Sequence, residues 1–310
     1  MTRSPGAGRR VGPRQPLELR PRPPFRLDLT AWALRRREQN TIDFIDGQTY
    51  RRTLRPGGRP LAVAVTQRGG ADDPRLEVAL GSRRSASEDD VKRLLTRLLG
   101  LDVDLSAFHA RAARDPVLDT LATRFRGLKP PRFPTPFECL LNAVACQQLS
   151  LAAGLTLLSR LAARTAGEDG PAPPFPAPAE ILRLTGSDLR SIGFSERKAD
   201  TILELARAAR AGEFGLERLE HLDDRSVRES LLRHPGIGPW SADYVLLRAL
   251  GRLHVFPSHD VGALNGLRRY LAAAGIEDAP GTLARWAVDA GLVYFHLLLY
   301  GLEERGALTA

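Results

Sequence analysis

The sequence has little of the chemistry that holds secreted mini-proteins or metal-rich proteins together, since its 310 residues include only two cysteines. Cys139 and Cys146 are too few for a disulfide framework, a four-thiolate zinc site or a four-cysteine iron–sulfur cluster. No run approaches the roughly 18 apolar residues of a membrane span. The basic start at Arg9 and Arg10 lacks the apolar segment of a secretory signal. These absences predict a soluble, cytoplasmic protein with two small core cysteines on one helix face.

Negative charge is in short supply, because 36 acidic residues face 45 lysines and arginines and leave a formal net charge of +9. Hydrophobic residues make up 43% of the chain and charged residues 26%, which is a globular composition able to bury a sizeable core. A basic balance of this size favours an anionic partner, and nucleic acid is the natural one.

Residues 1–24 contain almost nothing to bury. Prolines alternate with arginines throughout this segment, which predicts a disordered basic arm. The arm is either a solvated tail without a function or a segment that attracts DNA weakly and without sequence preference.

Residues 25–115 are predicted to form a small α+β domain. Period-two alternation at residues 25–29 indicates a strand. Residues 41–47 read as a strand that runs into an Asp-Gly turn, from which residues 49–54 return. Residues 61–67 and 76–80 follow as strands, and Ser87 is placed to cap a helix with an apolar stripe.

Residues 116–310 are predicted to form an all-helical domain. Its helical pattern is clearest after the break at Lys129-Pro130-Pro131. Apolar spacing predicts one long helix over 136–164, and a Gly/Pro linker over 167–178. The further helices are predicted at residues 187–192, 195–211, 223–233, 240–250, 261–274 and 282–300.

The segment between two of these helices carries the first functional signal. Pro235 ends one helix, and Gly236 and Gly238 permit a tight reversal that brings backbone close to another surface. Ser241 lies beside the start of the next helix, where free amides and the positive helix end suit a phosphate oxygen. A clamp on the DNA backbone is one interpretation, and a simple tight connector is the other.

This hairpin and the segment after it resemble the helix-hairpin-helix DNA glycosylases, in particular the AlkA-like branch, DNA-3-methyladenine glycosylase II. The resemblance is carried by residues 232–242 and 255–260 and extends to residues 34–52, 133–138, 147–150 and 193–199. It implies an α+β N-terminal domain followed by an all-α helix-hairpin-helix glycosylase domain. It also implies that Pro235, Gly236, Ile237, Gly238 and Ser241 contact the DNA backbone.

The resemblance implies that Asp260 is catalytic. A carboxylate near the sugar stabilises the positive charge that builds as the base departs, and can orient the attacking water. The local alternative is that Asp260 only caps the helix that begins at Val261. Both roles are compatible.

Trp240 and Tyr244, four apart on one helix face, are implied to line the base pocket, the alternative being that they are core aromatics. A cationic alkylated purine would gain cation–π contact there. Phe25 and Trp32 are weaker candidates for the same pocket. Asp289 stands where the family often has a pocket aromatic, after the tryptophan that matches Trp286, and this puts the range of lesions in question.

Related enzymes that also cut the strand use a lysine in the hairpin helix, where this chain has Trp240. Its only lysines are Lys92, Lys129 and Lys198, so no lyase step is expected. No cofactor is required, although the family can hold a cation on hairpin carbonyls, which here would be those of Leu232, His234 and Ile237. His259 is either a phosphate contact or a solvated loop residue.

The predicted function is therefore a monomeric, monofunctional DNA glycosylase. It would release alkylated purines of the 3-methyladenine and 7-methylguanine type from damaged duplex DNA after flipping the base. We expect it in the cytoplasm, at the nucleoid if bacterial, and away from membranes. The alternatives are a glycosylase for another lesion, such as hypoxanthine, ethenoadenine or uracil, and a non-catalytic binder of damaged DNA with a pocket disabled at Asp289.

Overall fold

The computed structural model describes residues 17–81, 87–166, 172–257 and 259–308. Its N-terminal part contains a five-stranded antiparallel sheet with the order β1-β5-β4-β3-β2. In chain order the strands are β1 (Leu17–Leu19), β2 (Phe44–Asp46), β3 (Thr49–Leu54), β4 (Leu61–Arg68) and β5 (Arg75–Leu80). The Asp-Gly turn joins β2 to β3 as predicted, with Asp46 opposite Thr49.

The predicted disordered arm is wrong at its C-terminal end. Leu17 and Leu19 are buried, and their strand β1 pairs with β5 at the edge of the sheet. The ordered part therefore begins before residue 25, because two leucines with an intervening Glu18 suffice for an edge strand with one buried face. Residues 1–16, the rest of the predicted arm, lie outside the described residues.

The strand predicted over residues 25–29 is also wrong, since this segment enters a helix, α1 (Leu27–Arg35). Leu27, Ala31 and Leu34 face the core under the sheet. Leu29 and Ala33 face a second core among the C-terminal helices. Helix α1 is thus apolar on two sides, and five residues of its sequence are too few to distinguish this pattern from a strand's alternation.

The remaining helices follow the sheet and confirm the all-α second half. They are α2 (Glu88–Leu99), α3 (Ser106–Ala112), α4 (Pro116–Arg124), α5 (Pro136–Cys146), α6 (Leu151–Ala166), α7 (Pro178–Ile181), α8 (Gly186–Ile192), α9 (Glu196–Arg210), α10 (Leu216–Glu220), α11 (Asp224–Leu232), α12 (Pro239–Arg248), α13 (Val261–Ala273), α14 (Ala279–Arg285) and α15 (Ala290–Glu303). Ser87 caps α2 through the backbone amide of Asp90, as predicted. Within the described residues, no helix is long and apolar enough to cross a membrane.

Two long predicted helices are each broken into two. The helix predicted over residues 136–164 divides into α5 and α6 at residues 147–150, where Gln148 has a positive φ of 54°. The helix predicted over residues 282–300 divides at Trp286 into α14 and α15, with a 3₁₀ turn between them. The first break creates a loop that borders the candidate site described below.

Three apolar cores organise the molecule. One lies under the sheet, one joins α5, α6, α9 and α12, and the third joins α1, α3 and α4 to α13–α15. Helix α1 belongs to the first and the third core and packs against α15. The N-terminal part is therefore a wall of the helical part, which places residues from both at one cleft.

Candidate active site

Asp260 lies at the start of α13 and holds three hydrogen bonds. Its Oδ1 accepts from the backbone amide of Ala263 at 2.9 Å, which is the predicted helix cap. Its Oδ2 accepts from Trp240 Nε1 at 3.3 Å and from the Tyr294 hydroxyl at 3.2 Å. An ionised carboxylate only accepts hydrogen bonds and all three partners are donors, so the cap fixes the carboxylate while leaving it at a cleft.

Trp240 and Tyr244 stack on each other beside this carboxylate. Their ring centroids are 5.4 Å apart with an interplanar angle of 26°. Tyr244 is 4% exposed, and burial raises the pKa of its hydroxyl. Both residues line the cleft, so the pattern on one helix face correctly places them together. Tyr244 is also a core residue, so the two interpretations of this pair, as pocket residues and as core aromatics, both apply to it.

Arg36, which the sequence analysis did not single out, also lines the cleft and contacts Tyr244 of this aromatic pair. It follows α1 with a positive φ of 60° and is 4% exposed. Its guanidinium donates to the Tyr244 hydroxyl at 2.9 Å and to Asn142 Oδ1 at 2.6 Å. A buried guanidinium with these partners fixes the tyrosine ring and puts a permanent positive charge in the wall of the cleft.

A second buried arginine ties the sheet to the helices behind Arg36. Arg52 on β3 is 1% exposed and donates to both Asp43 and Glu138. Burial alone would raise the pKa of Asp43, but Arg52 holds it below its ordinary value, whereas burial raises the pKa of Glu138. This ion triad joins the N-terminal sheet to α5, the helix that also carries Asn142.

Tyr294 on α15 is the second residue that the sequence analysis missed. It reaches Asp260 from a helix 34 residues further along the chain, and burial raises its pKa well above the ordinary range. The expectation for Asp289 is wrong. Asp289 is 4% exposed and lies outside the residues that line the cleft, where Arg111 holds it through two bonds of 2.7 and 2.6 Å.

The cleft has a volume of about 490 Å³. Its walls come from the end of α1, the loop at residues 147–150 and helices α12, α13 and α15. The weaker pocket candidates, Phe25 and Trp32, are not part of it. Phe25 is completely buried under the sheet, and Trp32 packs in the third core beside Arg35.

The hairpin between α11 and α12 has the predicted tight turn, and its two glycines play different parts. Gly236 has a φ of +86°, and a Cβ there would lie 2.3 Å from Thr201 Oγ1. Gly238 has an ordinary φ of −110° and open space where a Cβ would be. Gly236 is therefore needed by the fold, whereas Gly238 leaves the start of α12 open to a ligand.

The hairpin faces a groove that is continuous with the cleft. Gly236, Ile237 and Gly238 line this groove together with the basic Arg197 and Lys198 of α9, and Asp260 and Trp240 line both spaces. Pro235 is exposed at the tip of the turn. The amides of the first turn of α12 have no intrahelical partner, so this end of the groove suits an anion.

The contact of Ser241 with the DNA backbone stays a prediction, but its side chain has a partner within the protein. Ser241 is 1% exposed, and its hydroxyl accepts from Gln147 Nε2 at 3.1 Å. The same nitrogen donates to the carbonyl of Gly236 at 2.9 Å. Ser241 therefore fixes the hairpin to the loop after α5 rather than reaching outward to a phosphate.

Two further loop residues lie on the rim between the groove and the cleft. Leu149 is 46% exposed and borders both spaces. His259 is exposed beside Asp260 and lines the groove, which leaves open both roles considered for it. His254 is engaged elsewhere, with Nε2 2.6 Å from Asp224 Oδ2.

Lys198 lines the groove that Trp240 also borders, but its amine has partners of its own. Lys198 donates to the carbonyls of Ala145 and Gln147 at the end of α5. Lys129 donates to the Val103 carbonyl, and burial lowers its pKa to about 8. Among the described residues, no lysine lines the cleft.

The carbonyls considered for a cation lie at the end of α11 and in the turn after it. The final carbonyls of a helix have no intrahelical donor, so their chemistry fits a cation. The His234 carbonyl also accepts from the amide of Ile237 at 3.1 Å. The described residues contain no cluster of three or more His, Cys, Asp or Glu side chains that could hold a metal, and the carbonyl site stays a prediction.

Comparison with known families accounts for most of the chain. The family model described as HhH-GPD superfamily base excision DNA repair protein matches residues 141–285, and the AlkA N-terminal domain matches residues 16–134. The chain belongs to this superfamily, in its AlkA-like branch. The N-terminal match includes β1, in agreement with the finding that this strand belongs to the N-terminal sheet.

Individual relatives agree with this assignment. The DNA-3-methyladenine glycosylase of Bacillus subtilis is 32% identical over 58% of this chain and 61% of that relative. DNA-3-methyladenine glycosylase 1 of Schizosaccharomyces pombe is 29% identical over 58% of this chain and 76% of that relative. A second, putative B. subtilis glycosylase is matched over 49% of its length, so the chain spans only about half to three fifths of these two B. subtilis relatives.

Solved structures extend the likeness over the whole fold. The 3-methyladenine DNA-glycosylase from Archaeoglobus fulgidus has a TM-score of 0.78 and 26% identity, covering 94% of this chain and 100% of that chain. The Clostridium acetobutylicum 8-oxoguanine glycosylase/lyase, in complex with DNA, has a TM-score of 0.72 over 94% of this chain and 97% of its own. At 17% identity, the second likeness concerns the fold alone.

Proposed function

We propose that this protein is a monofunctional DNA glycosylase that hydrolyses the N-glycosidic bond of alkylated purines in duplex DNA. The observation that carries the proposal is the Asp260 carboxylate, held by Trp240, Tyr294 and Ala263 where the cleft meets the hairpin groove. A carboxylate, an aromatic pair and an anion-binding hairpin are the three parts that base release from a DNA strand needs. The names of the B. subtilis and A. fulgidus relatives support the choice of substrate.

In the proposed reaction the damaged nucleotide turns out of the duplex, because its bond is out of reach within the base stack. Positive charge develops on the sugar as the base leaves, and the fixed negative charge of Asp260 stabilises it without reorganisation. A water molecule completes the hydrolysis, and Asp260 orients it or accepts its proton. In this proposal Leu149 and Gln148, which are exposed on the loop between α5 and α6, fill the gap left in the duplex.

Recognition would come from the face of the Trp240 and Tyr244 stack. A cationic methylated purine gains cation–π energy over this face, and its weakened glycosidic bond adds discrimination in the rate. One observation also favours a second substrate class. The buried guanidinium of Arg36 lies against Tyr244 and opposes a cationic base, so neutral lesions such as hypoxanthine or ethenoadenine would be disfavoured less. Competition between lesion-bearing duplexes separates the two classes.

We do not propose the non-catalytic alternative, because it depended on Asp289 in the base pocket and Asp289 does not line the cleft. The absence of a lyase step remains part of the proposal. It is supported by Trp240 at the hairpin helix and by Lys198, whose amine is bonded to two carbonyls. No cofactor is proposed for the chemistry itself. A cation on the carbonyls of the hairpin would add positive charge next to a DNA phosphate.

The test is release of free base from methylated duplex DNA, with parallel samples treated with alkali and left untreated. We expect free 3-methyladenine and 7-methylguanine, with strand breaks only after alkali. Breaks in the untreated sample would overturn the monofunctional part of the proposal. Absence of any methylated base, with release of hypoxanthine or ethenoadenine instead, would assign the protein to the second substrate class.

A further inference from the structure

The cleft continues past the aromatic pair to an end that base release does not use. Helix α13 begins at Asp260, and nine residues later Arg269 also lines the cleft, about 13 Å along the helix. On α15, Tyr294 lies beside Asp260, whereas Gly301 and the following Arg305 border the far end. We call Asp260, Trp240, Tyr244 and Tyr294 the inner end, and Arg37, Arg269 and Arg305 the outer end.

The outer end gathers positive charge with little to balance it. A Cβ placed on Gly301 would have Arg305 Nη2 at 3.4 Å and Arg269 Nη2 at 3.9 Å, so both guanidinium groups converge above this glycine. Arg269 has one carboxylate neighbour, Glu304, at 3.6 Å. The described residues give the Arg305 guanidinium no hydrogen-bond acceptor, and Arg37 donates only weakly to the Arg36 carbonyl at 3.4 Å.

The three guanidinium groups also act on one another. Burial and then the charge of Arg269 lower the pKa of Arg305. Burial and then the charge of Arg305 lower the pKa of Arg37. Arg269 and Arg305 lie exposed and close together, and only Arg269 has a carboxylate partner, so an anion bound between the guanidinium groups would reduce their repulsion.

We propose that Arg37, Arg269 and Arg305 form a second phosphate site, which binds a backbone phosphate of the DNA whose damaged base enters the inner end. Guanidinium groups suit phosphate oxygens because they donate in pairs from a plane. The cleft and the hairpin groove share Asp260, Trp240 and Leu149, so a strand clamped at the hairpin passes the mouth of the cleft. The inference rests on the proposed function and adds a contact that the hairpin does not provide.

The experiment measures binding to a duplex that contains a tetrahydrofuran abasic site, over a series of salt concentrations. This probe needs no knowledge of the preferred lesion. Arg269→Gln and Arg305→Gln are compared with the matched control Arg268→Gln. Arg268 precedes Arg269 on α13, is exposed, and lines a different surface pocket, although its hydrogen-bond partner Asn265 borders the cleft.

We expect the double variant Arg269→Gln/Arg305→Gln to bind several-fold more weakly at low salt. The slope of log affinity against log salt should become shallower by about 0.9, the loss of one neutralised phosphate, while Arg268→Gln keeps the wild-type slope. A double variant with the slope of Arg268→Gln overturns the inference. If wild type fails to bind the duplex at all, the proposed function fails as well, and that result is visible in wild type alone.

A second arm identifies the phosphate. Neutral methylphosphonates replace single phosphates on both strands near the abasic site. At one phosphate that the hairpin does not contact, the methylphosphonate should weaken binding by wild type. The same substitution should not weaken binding by the double variant any further. If every substitution costs the double variant as much as wild type, the arginines contact no phosphate. Base release by the control Arg268→Gln should stay at the wild-type rate, which separates failure of this site from failure of the inner end.

Discussion

The two ends of the cleft differ in how completely their charges are satisfied. At the inner end the Asp260 carboxylate has three donors, and the Arg36 guanidinium is bonded to Tyr244, Asn142 and a backbone carbonyl. At the outer end only Arg269 is ion-paired, with Glu304, and the described residues give Arg37 and Arg305 no carboxylate partner. The difference indicates that the inner end is organised before any ligand arrives, whereas the outer end is completed by one.

The largest expected effect is on the buried triad behind the inner end. Arg52→Met leaves Asp43 and Glu138 buried without a cation, and we expect it to lower the free energy of unfolding by about 3–5 kcal/mol. Arg51→Met is the control, because the exposed Arg51 is 3.4 Å from Asp46 and contributes well under about 1 kcal/mol. Urea unfolding measures both. Equal small losses would show that the triad does not hold the inner end.

The second prediction concerns α15, which carries Tyr294 of the inner end and Gly301 beside the outer end. Burial lowers the pKa of His296, on the core face of this helix, to about 4, below the ordinary value of 6.5. Between these values the unfolded chain binds a proton that the folded protein does not, so stability falls as pH falls, by about 1.4 kcal/mol per unit. Unfolding at pH 7 and pH 5 should show a loss of about 2 kcal/mol for wild type. His296→Gln should lose less than wild type by about this amount and keep only the contribution of His109, whose pKa burial also lowers, whereas His221→Gln, an exposed control, should behave like wild type.

The third prediction separates the two hairpin glycines. Gly238→Asp has room for its side chain and should keep the wild-type melting temperature, but repulsion from phosphate should weaken DNA binding by roughly tenfold. Gly236→Ala should instead destabilise the fold, because of the φ of +86° and the contact with Thr201. Unchanged DNA affinity of Gly238→Asp across salt concentrations would remove the hairpin from the interface.

The smallest expected effect is at Tyr294. Tyr294→Phe removes one of three hydrogen bonds to Asp260, worth about 0.5–1.5 kcal/mol, so the single-turnover rate of base release should fall by about 2- to 13-fold. Affinity for the abasic duplex should not change. Tyr300→Phe is the control on the same helix, since Tyr300 packs against Tyr270 rather than lining the cleft. An equal effect of both variants would mean that Tyr294 acts through the stability of α15.

Local sequence signals predicted much of this molecule because several elements are encoded locally. The β2–β3 hairpin follows from Asp46-Gly47, and the pairing of Trp240 with Tyr244 follows from a four-residue spacing. The break after α5 was not predicted, because no glycine or proline marks it in the sequence. It depends on Gln148, which adopts a left-handed conformation. Helix α1 was misread because its two apolar faces imitate a strand over five residues.

The site was predictable only where its residues are close in sequence. Asp260 and Trp240 lie 20 residues apart, in segments that resemble a known family. Arg36 meets Tyr244 across 208 residues, and no local pattern shows that a buried guanidinium will face a tyrosine. Tyr294 enters through the packing of α15 against α13, which the sequence pattern alone does not orient. Asp289 is the opposite case, because the sequence placed it at a pocket position but its side chain is bonded to Arg111 outside the cleft.

The central claim is that Asp260 stabilises the charge that develops as the base leaves. Its most direct test is the single-turnover rate of base release by Asp260→Asn, measured together with affinity for the abasic duplex. The amide can still accept from Ala263 as a helix cap but carries no charge, so we predict a loss of at least about 100-fold in rate with DNA affinity close to wild type. Release at the wild-type rate, or a rate that falls only in proportion to affinity, would contradict the account.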